Sequence, residues 1–352
     1  MANNNFKPFA AAGGANVMTQ ADYEALAALL TGFQSGTAQS AQLNKVWRQS
    51  SIMSAVLAQF IVDLTGQDAI DDGTTTTLLA NLKTAVQAQS AAVVGQARNL
   101  SMSVTAASST ASLNADEIVV GTALGGQKYL LKQFSKTINL GATGAGGMDT
   151  GSAPASGFVA LYAIYNPTTG ASALIAKNAT TAAAPNVYGG ANMPSGYTAS
   201  ALVSVWPTNA SSQFAIGYQL DRRITITSTI AVSTTTQIAS FTLVNAATII
   251  PNNAKTVSGN LSIVTTNGLN AQVNIAANAS GLGAQQLAAA ASSGGTNSAN
   301  CPFLNMPIIT AQSFYWNASL QSGTFTRETL INEPVVRITD EAGCNFQIDV
   351  GI

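Results

Sequence analysis

The chain is 352 residues long, 47% hydrophobic and only 8% charged, with 14 Lys plus Arg against 15 Asp plus Glu, no histidine and a net charge of −1. A balance this neutral offers no basic footprint for a phosphate backbone, which argues against nucleic acid, and the missing imidazole removes Ser-His-Asp and Cys-His triads and the common zinc and haem ligand sets. Charge this sparse favours self-association or an extended assembly, and no run is apolar for long enough to insert in a membrane.

Residues 1–18 lack the uninterrupted apolar core of a signal peptide. Phe6, Pro8 and Phe9 cluster around Lys7 ahead of any helix and read as an extended docking segment. A helical module is expected over 19–86. Thr19 can cap a first helix, with Asp22 at its positive end and Tyr23, Leu26, Leu29 and Leu30 as its apolar stripe, ending near Gly32. From Gln39 to Leu64, the positions Leu43, Val46, Ser50, Met53, Leu57, Phe60 and Leu64 alternate steps of three and four, the seam of a left-handed bundle. Trp47, Val56 and Ile61 broaden it, so this helix packs either in a hairpin with the first helix or against copies of itself. After Asp71-Asp72-Gly73 a third helix carries Leu78, Leu79, Leu82 and Val86. The Ala/Ser-rich stretch 87–117 has little bulk and is expected to be a linker or slender stalk.

Beyond Ile118 the sequence reads as β. Candidate strands are Phe158–Tyr165, Ala201–Trp206, Phe214–Tyr218, Arg223–Val232, Ile238–Leu243, Gly259–Thr265, Ala271–Ala277, Gln312–Leu320, Thr324–Leu330, Val335–Thr339 and Asn345–Val350. Strands at this spacing predict an antiparallel, jelly-roll-like sandwich over 118–352, with a subdomain boundary near 232–245. The stretches Asn178–Leu220 and Thr256–Thr326 hold no charged residue, and faces that neutral associate unless other chains cover them.

Local chemistry motifs are thin. Asp149-Thr150-Gly151-Ser152 carries the aspartic-protease signature once, but the Gly-rich run before it lacks the apolar strand of such a site, so Asp149 is read as a turn residue bonding nearby backbone N–H groups. Asp340 and Glu341 are adjacent and would point to opposite strand faces. Cys301 and Cys344 match no metal spacing and read as small buried residues. No catalytic residue, metal or cofactor is assigned.

Phe6 to Leu26, Trp47-Arg48-Gln49 and Ile52 to Asp68 together resemble the N-terminal attachment region of tail fibre proteins from tailed bacteriophages and prophages. Gly147 to Gly151, Leu161 to Pro167, Met193 to Tyr197 and Tyr218 to Arg223 resemble the distal domain of similar fibres. The resemblance implies an intertwined homotrimer in the virion, its N-terminus on a baseplate protein and its β-domain displayed to the host surface. Leu43, Val46, Met53, Leu57, Phe60 and Leu64 would then form the trimer interface, and Phe6, Lys7, Pro8 and Phe9 the baseplate attachment. The long triple-stranded shaft of the family is missing, which makes this a short fibre.

A host-surface glycan such as lipopolysaccharide presents apolar ring faces that stack on aromatics and hydroxyls that Asn, Gln and Ser can satisfy. Tyr188 and Tyr197, in charge-free loops, and Tyr315 and Trp316, in a candidate strand where one of the two should face outward, are the candidate receptor contacts. Arg222 and Arg223 read as a local or intersubunit ion pair with Asp221. Two alternatives accompany this reading: a structural tail or baseplate component without a host ligand, and a fibre-borne polysaccharide depolymerase.

Overall fold

Helices occupy the first of two units, Met1–Ala91, and strands the second, Ala92–Ile352, in a computed structural model that describes residues 2–36, 39–88, 92–289, 295–332 and 335–337.

In the first unit, α1 (Gln20–Glu24) starts where expected: the Thr19 hydroxyl accepts from the Asp22 N–H at 3.2 Å. It stops at Ala25, and α2 (Ala28–Thr31) follows as a separate turn. The single helix expected to Gly32 is thus two short ones, because neither buries a residue that would hold a longer helix together. The 26-residue α3 (Ser40–Thr65) ends at Gly66, whose φ of +66° suits a left-handed cap and whose N–H returns to the Val62 carbonyl at 3.0 Å. Ala58 and Ile61 on α3 and Ala85 on α4 (Thr76–Ala88) are buried. Lys45 is buried on α3 with its ammonium 5.8 Å from the Tyr23 ring centroid, which ties α1 to the long helix.

Residues 3–18 run back along α3 of their own chain. Asn3 and Asn5 bracket Ala69, with Ala69 N–H donating to the Asn3 carbonyl at 2.9 Å and Asn5 N–H to the Ala69 carbonyl at 3.0 Å. Further along, Phe9 N–H donates to Ser51 Oγ at 2.8 Å, and Asn44 Nδ2 to the Asn16 carbonyl at 2.8 Å. Asn and Ser side chains thus satisfy an extended backbone that has no helix or sheet of its own.

The second unit is built from β1 (Ala97–Arg98), β2 (Ser101–Val104), β3 (Thr110–Gly121), β4 (Lys128–Asn139), β5 (Phe158–Tyr165), β6 (Ser172–Asn178), β7 (Ala199–Pro207), β8 (Gly217–Leu220), β9 (Arg223–Ile226), β10 (Thr229–Thr234), β11 (Ile238–Asn245), β12 (Thr256–Leu269), β13 (Ala271–Ala276), β14 (Gln285–Ala289), β15 (Thr296–Pro307), β16 (Ser313–Ser319), β17 (Ser322–Asn332) and β18 (Val335–Arg337). Every ladder between these strands is antiparallel. A 14-stranded sheet follows the order β10-β17-β12-β18-β9-β8-β2-β3-β7-β5-β6, with β1 and β4 on β3 and β15 on β12; a four-stranded sheet follows β11-β16-β13-β14.

Strands β5 and β7 are buried on both faces, as their near-continuous apolar runs FVALYAIY and ALVSVW require. The connections around them add Met148, Ala153, Ala184 and Tyr188 to the same apolar core, which also takes in Val273, Ile275, Phe314 and Trp316 of the four-stranded sheet. Gly147 has to be glycine: a Cβ there would stand 2.4 Å from the Ala142 carbonyl oxygen, where residues 146–149 run beside β6.

Two expectations are corrected by this sheet. From Ala97 on, the stretch expected as a linker or stalk belongs to the sheet. Leu100, Met102, Val104, Ala111 and Leu113 are buried in the β core, because β2 and the first half of β3 alternate apolar with polar residues at strand period. Arg223–Val232 is not one strand, since β9 and β10 flank a break at Thr227-Ser228 and pair with different partners, β18 and β17. The expected strand Asn345–Val350, together with Asp340, Glu341 and Cys344, lies outside the described residues. Cys301 is half-buried in β15.

Candidate functional site

The four-stranded sheet turns its outer face to solvent, and the strand alternation dictates what that face carries. In β16, Phe314, Trp316 and Ala318 point into the core while Ser313, Tyr315, Asn317 and Ser319 point out. In β13, Val273 and Ile275 point in, and Gln272 and Asn274 out. Cross-strand register then builds three rows: Leu243 beside Tyr315, Gln286-Asn274-Asn317, and Ala288-Gln272-Ser319. Asn274 Nδ2 donates to Asn317 Oδ1 at 2.8 Å, and Gln286 Nε2 to Gln272 Oε1 at 3.0 Å. Each amide keeps further donor or acceptor capacity after those bonds. The result is a face without charge, one aromatic ring beside an exposed Leu243 and a field of amides and hydroxyls. Such a face can stack an apolar ring on Tyr315 and exchange hydrogen bonds with hydroxyls through its amides.

Of the aromatics singled out from sequence, Tyr315 therefore faces outward, half-buried among its strand neighbours. Trp316 is 3% exposed and is a core residue, so it drops out as a receptor contact. Tyr188 drops out too. Its ring is 7% exposed, stands edge-on to Tyr162 at 5.4 Å, and lies under the Lys177 ammonium, also at 5.4 Å. Its hydroxyl donates to Asp149 Oδ2 at 2.9 Å. Desolvation first, and then the hydrogen bond and charge of Asp149, push the Tyr188 phenol up to about 12 from its ordinary 10.0. Burial likewise holds the Tyr162 phenol far above its ordinary value, and its hydroxyl donates to the Pro185 carbonyl at 2.9 Å. Asp149 takes the Thr150 N–H on its other oxygen at 2.8 Å, a turn geometry. Tyr197 is half-buried, packed against the core, and closes the turn Pro194–Tyr197, where Gly196 has a φ of +81° and a Cβ would meet the Asn166 amide.

Arg222 donates to the Leu202 carbonyl at 2.7 Å and also to the Gly95 carbonyl. Its guanidinium thus clamps the first residues of the second unit to β7.

On the helical unit, the long-helix seam divides. Met53 and Leu57 are 59% and 48% exposed, with Val56 at 56% beside them, whereas Leu43, Val46, Phe60 and Leu64 are half-buried. The face that packs within the chain is a different one, around Ala58 and Ile61. Of the attachment candidates, Phe6 is half-buried, Lys7 and Pro8 are exposed, and Phe9 lies edge-on to Trp47 at 5.6 Å with both rings about half exposed.

Sequence reasoning missed Gln272, Asn274, Asn317 and Gln286. The signal was present in the amide-apolar alternation of Gln272–Ile275 and Tyr315–Ser319, but only cross-strand register brings the two runs together. No helix among the described residues is long and apolar enough to cross a membrane. No protein-family profile matches the chain, and no curated protein matches it in sequence.

Proposed function

We propose that this chain is a short trimeric tail-fibre protein whose helical unit assembles and attaches the fibre and whose β unit binds a surface glycan, such as lipopolysaccharide, on a host cell. The observation that carries the reading is the seam on α3: its apolar positions recur at a mean of 3.5 residues, and its centre, Met53 and Leu57, is open to solvent in the single chain. A helix of 26 residues, about 39 Å long, with a 3.5-spaced stripe whose centre is left open is built to pack against copies of itself. The exposed Lys7, Pro8, Phe9 and Trp47 patch forms the contact with a baseplate protein, and the β units join as an intertwined, sandwich-like trimer. Tyr315 and the amide rows face the host. Three tips on a fibre and several fibres on a virion raise weak sugar contacts to firm attachment through effective concentration.

The test uses the full chain. Light scattering should give three times the 35.8 kDa chain mass, and the same preparation should bind receptive cells and not others. A folded monomer overturns the fibre reading. A trimer that binds isolated baseplates but no cells assigns a structural role, and loss of polysaccharide viscosity on incubation would make it a depolymerase.

A further inference from the structure

A second neutral surface lies in the 14-stranded sheet, where β2 and β3 part company. Their ladder holds only Ser101 against Asn114 and Met102 against Leu113. The register would next set Ser103 opposite Ser112 and Val104 opposite Ala111, and neither pair forms. Strand β2 instead stays with β8, Ser103 facing Tyr218, while β3 stays with β4, Ser112 facing Thr137. The split opens a groove of about 400 Å³ between two halves of one sheet.

Its lining is chemically uniform. Met102 and Ala111, 1% and 8% exposed, make an apolar floor. Ser101, Ser103, Thr110, Ser112, Asn114 and Thr137 supply hydroxyls and an amide, and no lining residue is charged. Ser112 and Thr137 share a hydrogen bond at 2.9 Å, and Ser135 donates to Asn114 Oδ1 at 2.7 Å, which fixes the wall and turns the Asn114 nitrogen free to donate. Tyr218 stands on the rim, 49% exposed.

We propose that this groove is a sugar-binding subsite, with one pyranose ring of a neutral glycan stacked on Tyr218 and its hydroxyls bonded to Ser101, Ser103 and Asn114. The inference deepens the receptor-binding reading and rests on it. An apolar floor, convergent hydroxyls and an aromatic edge match the amphipathic faces of a sugar ring. The absence of any charged side chain from the lining disfavours phosphate and metal ions. A peptide strand added to the split would find only Ser103-Val104 of β2 and Thr110–Ser112 of β3 unpaired on the facing edges, too short a template for strand addition.

The test is a set of full-chain variants probed with an array of neutral bacterial-surface oligosaccharides and with receptive cells. Tyr218→Ala removes the stacking ring and Ser103→Leu fills the groove; both positions face solvent, and unchanged thermal unfolding reports that the fold is kept. Each variant should weaken oligosaccharide binding by about tenfold or more, with Tyr218→Phe retaining most of it. Wild-type binding of oligosaccharide with both groove variants unaffected overturns the subsite and leaves the receptor reading standing. Cell binding without oligosaccharide binding also overturns the subsite, in favour of a non-sugar receptor. If wild type binds neither cells nor oligosaccharide, the receptor reading fails and the subsite with it.

Discussion

Tyr188 shows how a residue can look like a binding group in sequence and be a structural one in the fold, held there by Asp149. Its Gly-containing, charge-free loop suggests exposure, yet that loop packs on the core and Tyr188 becomes a core residue. Among the described residues the phenol is the one side chain that donates to Asp149, at 2.9 Å, so Tyr188→Phe should cost about 1–3 kcal/mol, the usual penalty for leaving a buried acceptor without its donor. The pH dependence has a definite sign. The folded phenol titrates at about 12 and the free one at 10.0, so the folded state keeps its proton after the unfolded state has lost it. The stabilisation is complete below pH 10.0 and is lost as the pH rises to about 12. Thermal melts across that window should therefore fall less steeply for Tyr188→Phe than for wild type. They should not become flat, because Tyr162 is shifted in the same direction. Equal slopes would mean that Tyr188 is not held as the geometry implies. For Tyr315 and Trp316 the sequence did show that one of the pair faces outward, since adjacent strand residues take opposite faces; which one depends on the register against β13, and that is not local information.

Elements were legible where their burial is one-sided or complete. The long helix was readable to within a residue or two because its heptad-like stripe and Gly66 mark its face and its end. Strand β5 was readable because an unbroken apolar run of that length between turn residues fits only a buried strand. Strands β2, β3 and β4 were not, because β2 has only four residues, two of them Ser, and Lys and Gln decorate β4; in β3 the small inward residues Ala111 and Ala115 carry too little hydrophobic signal to reveal the alternation. The helix makes the sharper prediction. Its open seam and its packed face are distinct sets of residues, so mutations should separate them. Met53→Glu with Leu57→Glu should reduce the light-scattering mass to one chain while the far-ultraviolet helix signal remains, because both side chains are about half exposed already. Ile61→Ala, at 4% exposure, should instead lower the stability of the helical unit by about 2–5 kcal/mol. An unchanged mass in the double variant would remove α3 as the assembly element.

At the scale of the molecule, what the sequence concealed is where the β unit begins. Composition places the change of character near Ile118, but the chain is already in the sheet well before that: β1 and β2 precede it, and Ile118 sits in the middle of β3, fully buried. The Arg222 clamp reaches further back, to the Gly95 carbonyl, so the sheet secures its own first residues through a part-buried charge-assisted contact. Cutting at Ile118 would remove β1, β2 and the first half of β3, expose the partners of Leu100, Met102 and Leu113, and leave Tyr218 on a bare strand edge. A bare edge and an opened core in a unit with so few charges is a recipe for aggregation. A fragment covering 92–352 should therefore be soluble and unfold cooperatively on heating, whereas one covering 118–352 should be recovered as aggregate. Soluble, cooperatively unfolding 118–352 protein would show that the first strands are appended to the sheet rather than part of its core, and the groove between β2 and β3 would then be removed without consequence for the fold.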